Sequence, residues 1–309
     1  MPSVEYHRRR SGIESVADTA LWIAGYRAME TERRDALFRD PLAAVLAGTR
    51  GRDIARSMPN ARATAWGIAL RTRAIDEFVL SAVHDRGVDT VLNLGAGLDT
   101  RPYRLDLPAR LRWVEADFPD MIAFKEERLR ARVPRCRLER RACDLSGAAD
   151  RDSLFESVAE GSRCVLVITE GVIAYLTEEQ AAELSRALLG QPRFRYWVQD
   201  VSTSSVMRRV RKRWAKQLEH HAPFRFFPSS DRWRRDPNKN EWVAFFEGQG
   251  WKTTKIRYST EEGERLQRAM PLSWLLRLAG PVLGASKRNR IRTMSGYVML
   301  QRKNDEERS

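Results

Sequence analysis

Cysteine is scarce in this chain of 309 residues. Cys136, Cys143 and Cys164 are odd in number, form no CxxC pair and fall within or beside expected strands. That pattern excludes a disulfide framework and gives no zinc signature, so the three read as small buried hydrophobes. Long apolar runs are also lacking, and none approaches the length of a membrane span. The opening residues lead into polar sequence rather than a signal-peptide core, which makes the cytoplasm the expected location. Internal repeats and low-complexity linkers are missing as well. Acidic residues are in deficit: 41 Asp and Glu face 55 Lys and Arg, a formal net charge of +14. The excess permits a nucleic acid, an anionic membrane surface or an acidic substrate as partner without choosing among them. Much of it is arginine spread along the chain, denser over 208–216 and 287–292. A GC-rich coding source accounts for such diffuse arginine equally well.

What is present begins with an apolar strand over 88–94 that runs into Gly95-Ala96-Gly97, a turn too tight for side chains that clash. The third glycine of the dinucleotide fingerprint is absent, since Asp99 and Thr100 stand where a helix would meet a pyrophosphate. NAD is therefore disfavoured. S-adenosylmethionine carries an adenosine without phosphate and an amino-acid end that polar groups and backbone amides can hold, and Asp99 suits it better. Asp117 ends a second strand about 20 residues past Gly97, the spacing that puts an acid on ribose hydroxyls. A third strand over 137–142 leads to Asp144, placed to accept from an adenine amino group, and a fourth over 163–169 runs into Glu170. Taken singly, Glu115 and Asp117 also read as solvated turn residues, Asp144 as a helix cap and Glu170 as an N-cap-like carboxylate. Together these strand ends favour one cofactor crevice.

The alternation of strands and helices from residue 88 onward predicts a parallel sheet covered on both faces. Fifth, sixth and seventh strands are expected over 194–201, 251–258 and 293–302, with helical sequence over 260–286. Residues 1–86 read as an N-terminal helical cap and 87–202 as the Rossmann-like cofactor-binding core. The stretch 203–240, basic, aromatic and irregular, reads as a lid insert. Residues 241–302 complete the core sheet, and 303–309 form a tail.

Several separated motifs together resemble the leucine carboxyl methyltransferase family, in its bacterial branch of polyketide O-methyltransferase-like proteins. They are Arg71-Thr72 with Ile75-Asp76, the string from Asn93 to Arg101, Glu115-Ala-Asp117-Phe-Pro119 with Lys125, Glu170-Gly-Val-Ile-Ala-Tyr175-Leu176, and Met294-Ser-Gly-Tyr-Val298. The opening segments Ser15-Val-Ala-Asp-Thr-Ala-Leu21 and Asp35-Ala-Leu-Phe-Arg-Asp-Pro41 share the likeness, which covers nearly the whole chain. The resemblance implies an α/β class I methyltransferase fold, a seven-stranded, mostly parallel sheet with the last strand antiparallel. It also implies S-adenosyl-L-methionine as cofactor, S-adenosyl-L-homocysteine as product, and no metal. Carried over by position, Arg71 contacts the cofactor carboxylate, Gly95, Ala96 and Gly97 its amino-acid end, Asp117 the ribose, and Asp144 with Leu145 the adenine. Glu170 holds the ammonium and Tyr175 stands near the transferred methyl. Members that methylate a protein C-terminus have a cofactor-contacting Lys where this chain reads Asp18-Thr19-Ala20, which argues against that substrate.

Methyl transfer from a sulfonium is an in-line displacement, so the protein chiefly positions the acceptor and excludes water. A carboxylate acceptor needs orientation; a phenol benefits from a base, for which His220 or His221 is available, although both also read as solvated residues ending a basic helix. Aromatics among the arginines of the insert suggest a small acidic or aromatic acceptor, and the resemblance to the polyketide O-methyltransferase-like branch implies secondary metabolism. The alternative is an RNA-binding or RNA-modifying methyltransferase, which no RRM, KH or zinc motif supports. Peripheral contact of 274–292 with an anionic membrane is a further reading, against simple core packing.

Overall fold

The structure, a computed structural model, describes residues 16–214, 240–271, 289 and 291–303. Two strands buried along their whole length set its centre: β1 (Thr90–Leu94) and β4 (Val165–Thr169), neither of which has an accessible position. Apolar runs of that kind form the middle of a sheet covered on both faces. Five more strands, β2 (Arg112–Asp117), β3 (Arg137–Ala142), β5 (Phe194–Ser202), β6 (Trp251–Tyr258) and β7 (Ser295–Arg302), complete a seven-stranded sheet in the order β3-β2-β1-β4-β5-β7-β6. The β1–β2, β2–β3, β1–β4 and β4–β5 pairs are parallel, and β7 runs antiparallel between β5 and β6. The expected mostly parallel sheet with its last strand reversed is thus observed. The chain starts in the middle at β1, builds outward through β2 and β3, then returns to the other side of β1 with β4. That reversal opens a crevice beyond the carboxyl ends of β1 and β4.

Successive strand residues face opposite sides, and the two cores follow that period. On one side Val91, Trp113, Leu166, Ile168 and Val198 pack with Leu70, Ala74, Ile75 and Phe78 of the long helix α3 (Ala61–Asp85). On the other, Leu92, Val114, Val167 and Trp197 pack beneath α6 (Ala148–Glu160) and α7 (Glu178–Gly190). The Trp197 ring meets Trp251 and Phe246 edge-on at 5.2 and 4.8 Å, and its indole N–H donates to Thr169 Oγ1 at 2.8 Å. Trp197 therefore satisfies its polar atom as well as fills space.

The helical cap begins with α1 (Val16–Thr31) and α2 (Pro41–Ser57). Asp40 caps α2 by accepting from the Ala43 N–H at 3.0 Å, with Pro41 in the first turn. The two helices touch at glycines: a Cβ on Gly25 would lie 2.5 Å from the Gly51 carbonyl oxygen. Only glycine at both positions permits that approach, which lays α1 across the mouth of the crevice. The short helices α4 (Arg101–Arg104) and α5 (Pro119–Leu129) follow β1 and β2.

One sequence expectation needs correction. The stretch after β5, expected to be irregular apart from a basic helix ending at His220 and His221, opens at once with a regular helix, α8 (Ser204–Trp214). Met207 is buried there while Arg208, Arg209, Arg211 and Lys212 are exposed, so helical periodicity separates an anchoring side from a basic one. Most of the expected lid, including His220 and His221, and most of 274–292 lie outside the described residues. Beyond α8 come α9 (Glu241–Gly248) and α10 (Ser259–Arg265). No helix among the described residues is long and apolar enough to cross a membrane. Cys136 and Cys143 are buried free thiols, pushed up to about 12 and about 11 by that burial.

Candidate active site

The crevice is built from consecutive strand ends. Directly after β1, Gly95 and Gly97 take φ values of +62° and +46°, a left-handed backbone that favours glycine. A Cβ at Gly95 would also lie 2.6 Å from Val172 Cγ2. The Ala96 N–H donates to the Ala116 carbonyl at 3.1 Å, which ties the turn to β2. Asp117, the last residue of β2, accepts the Gly97 N–H on Oδ2 at 2.6 Å and the Phe118 N–H on Oδ1 at 2.7 Å. Each oxygen keeps a lone pair for a hydroxyl donor. Burial pushes this carboxyl up, against the pull of the two amides. Asp144 is exposed and closes its own turn, accepting the Ser146 N–H and hydroxyl on Oδ1 at 2.9 and 2.7 Å, while Leu145 packs on the core beside it. It does not cap α6, which starts after Gly147.

Glu170 follows β4 and lies between two guanidiniums. Arg71 Nε, from α3, is 2.8 Å from Oε1, and Arg101 Nη1, from α4, is 2.8 Å from Oε2. Burial works to raise the Glu170 carboxyl, and Arg101 and Arg71 outweigh it, leaving the group below its usual range. The close Arg71–Glu170 approach is an ion pair without hydrogen-bond alignment, so Arg71 Nε is a buried donor with no acceptor.

From Glu170 the ion pairs continue inward. Arg101 pairs with Asp99 at 2.9 Å and Asp76 at 2.7 Å; Arg104 pairs with Asp76 at 2.6 Å and approaches Asp40 at 3.8 Å; Asp40 pairs with Arg27 of α1 at 2.9 Å. Arg27 also donates to the Leu98 carbonyl just past the glycines. Asp99, expected to face the cofactor, turns inward instead. It accepts from Asn93 Nδ2 at 2.8 Å and from the Arg101 N–H at 2.9 Å, and its carboxyl is held far below the usual range as Arg101 and Lys125 outweigh the effect of burial. Its visible place is that of a brace under the glycine turn.

Tyr175 stands in a short 3-10 turn (Ile173–Tyr175) after Glu170. Burial raises its phenol, partly offset by a hydrogen bond with Thr19 of α1. Ala20 of α1 lies over Gly97, within 3.6 Å of where a Cβ would stand. The first helix therefore covers both the glycine turn and Tyr175.

Sequence reasoning missed Asp200, which accepts the Gly171 N–H at 2.6 Å and lies 3.8 Å from Arg71. Its signal was available, an acid near the end of the fifth strand like those near the ends of the others. Thr19 and the bracing role of Arg101 and Asp76 were missed because they depend on partners far along the chain. Among the described residues no group of three His, Cys, Asp or Glu side chains converges as a metal ligand set.

A switch-point crevice with glycines after β1 and an acid at the end of β2, in a seven-stranded sheet with β7 reversed, defines the class I methyltransferase fold. Two solved structures share it: a DUF574 family protein from Streptomyces avermitilis (TM-score 0.54, 16% identity, covering 91% of this chain and 97% of that one) and a provisionally named methyltransferase from Thermobifida fusca YX (TM-score 0.52, 13% identity, covering 91% and 95%). The chain belongs to the leucine carboxyl methyltransferase family, whose model matches residues 20–189. A Parafrankia sp. protein provisionally named as an S-adenosyl-L-methionine-dependent methyltransferase is 35% identical over 191 residues, 59% of this chain and 61% of that one. A Streptomyces coelicolor protein with the same provisional description is 34% identical over 182 residues, 56% and 64% of the two chains. These matches span less than two thirds of either relative. One from Mycobacterium bovis BCG, again with that description, is 29% identical over 303 residues, 88% of this chain and 92% of its own.

Proposed function

We propose that the protein is an S-adenosylmethionine-dependent O-methyltransferase acting on a small acidic or aromatic metabolite. The observation that carries the reading is the meeting of four strand ends and Arg71 at one crevice, in a chain of this family. The donor set suits the cofactor. Asp117 has lone pairs for the two ribose hydroxyls, the free side of Asp144 with Leu145 suits an adenine edge, and the guanidinium of Arg71, whose Nε faces Glu170 and whose Nη1 is 3.8 Å from Asp200, suits a carboxylate through its terminal nitrogens. Gly95, Ala96 and Gly97 leave room for the amino-acid end. When bound, the cofactor supplies an electrophilic methyl group on a sulfonium; the protein's part is to hold the acceptor oxygen in line and keep water out.

Tyr175, a phenol raised by burial, stays protonated near neutral pH, so its role is to orient an acceptor oxygen rather than to remove a proton. A carboxylate acceptor needs no base, and that chemistry fits these residues most directly. The exposed Arg208, Arg209, Arg211 and Lys212 of α8 favour an anionic acceptor. The same basic face supports the second reading, an RNA substrate. RNA affinity that persists at physiological salt, with labelled methyl transferred into RNA, would replace the small acceptor.

Calorimetry checks the cofactor reading. S-adenosylmethionine should bind, and Asp117→Ala should weaken it by about 1.5–3 kcal/mol, as for hydrogen bonds to a charged group. Tight NADH binding with no response to S-adenosylmethionine would remove it.

A further inference from the structure

Asp200 carries no motif, yet it occupies the strand end beside Glu170, since β5 pairs with β4 in parallel. Its two oxygens differ. Oδ1 accepts the Gly171 N–H at 2.6 Å, whereas Oδ2 is 3.8 Å from Arg71 Nη1, beyond hydrogen-bond reach of that cation. The side chain is 26% exposed, so it opens on the crevice. Glu170 is placed differently, because each of its oxygens already has a guanidinium nitrogen at 2.8 Å. Along the chain of ion pairs from Arg27 to Arg71, Asp200 is the last carboxylate and the one most loosely matched by positive charge.

We infer that Asp200, rather than Glu170, is the principal counter-charge for the α-ammonium of the cofactor's amino-acid end. This rests on the cofactor reading above and deepens it. An ammonium brings three N–H donors and a full positive charge, and both are best met by a carboxylate oxygen that no other cation closely approaches. Oδ2 of Asp200 is such an acceptor; the oxygens of Glu170 serve to fix Arg71 and Arg101. Burial raises the Asp200 carboxyl, opposed by Arg71, and a cation at Oδ2 would further offset that desolvation. Arg71, beside Asp200, remains available for the α-carboxylate. The two ends of the zwitterion are thereby read by adjacent side chains of opposite charge.

The test uses the full chain and three ligands: S-adenosylhomocysteine, its deaminated analogue, and 5′-methylthioadenosine, which has the adenosine but no amino-acid end. Asp200→Asn keeps an oxygen for the Gly171 N–H and removes the charge. It should raise the Kd for S-adenosylhomocysteine by roughly ten- to a hundredfold. Methylthioadenosine should bind wild type and variant alike. The deaminated analogue should bind wild type with a comparable loss and lose little more on the variant. An unchanged Kd for S-adenosylhomocysteine, or an equal loss for all three ligands, would overturn the assignment. So would a deaminated analogue that binds wild type as well as the parent does. Failure of wild type to bind either nucleoside would instead remove the cofactor reading, and this inference with it.

Discussion

At the scale of single residues, the glycine turn after β1 is the most constrained point of the site. Gly95 needs a left-handed backbone, and its missing Cβ is the space that Val172 Cγ2 occupies. Gly95→Ala should therefore cost about 2–4 kcal/mol, the sum of a left-handed backbone penalty and local overpacking. The double variant Gly95→Ala, Val172→Ala relieves only the second, so urea denaturation should show a residual cost of about 1–2 kcal/mol. Equal stabilities of the single and double variants would mean that the contact with Val172 is not a constraint. Gly95, Gly97 and Asp117 were legible in the sequence because a glycine turn and an acid at fixed spacing are local signals. Asp99 was legible as a member of the string and misread in direction: which way a short side chain turns depends on Asn93 and Arg101 around it.

Elements were legible wherever period and caps agreed. The Thr177-Glu-Glu-Gln180 start of α7 forms a reciprocal capping box, the Gln180 N–H donating to Thr177 Oγ1 at 3.2 Å and the Thr177 N–H to Gln180 Oε1 at 2.9 Å. Thr177→Ala should cost about 1 kcal/mol in chemical denaturation, and Thr177→Ser close to nothing. A full loss in the serine variant would mean that the methyl group, not the hydroxyl, anchors this helix. The start of α8 was missed because its sequence is basic and aromatic; it is a helix because Met207 finds the core while its arginines remain in water. Conversely, the start of α6 at Ala148 has no local mark, since its first turn has no side-chain cap.

At the scale of the whole molecule, the ion pairs from Arg27 through Glu170 to Arg71 join the helical cap to the sheet, and their effect on stability depends on pH. The folded Glu170 carboxyl sits below its usual range because Arg101 and Arg71 outweigh its burial. A depressed carboxyl stabilises the fold above its unfolded value, about pH 4.3, and that stabilisation is lost as pH falls through the folded value. Glu170→Gln should accordingly cost about 3 kcal/mol at pH 7, the penalty for leaving buried guanidiniums unpaired. The gap to wild type should narrow as pH drops below 4. Asp117 and Asp200 act in the opposite sense, since burial raises them and their protonation in acid relieves that cost. A Glu170→Gln deficit that stays constant from pH 7 to pH 3 would show that shape, not charge, is what Glu170 contributes.

The sequence by itself determined the alternation of strands and helices, the glycine turn, the acids at the strand ends and the family, because each is written in neighbouring residues or in fixed spacings. Tertiary structure alone decided that β4 and β5 stand side by side, and so that Asp200 joins Glu170 around Arg71. It also decided that α1 lies over the turn, bringing Thr19 to Tyr175 and Arg27 to Leu98. The reason is physical. Desolvation and ion pairing act through space between residues up to a hundred or more positions apart, and no local pattern records which charge will be buried against which.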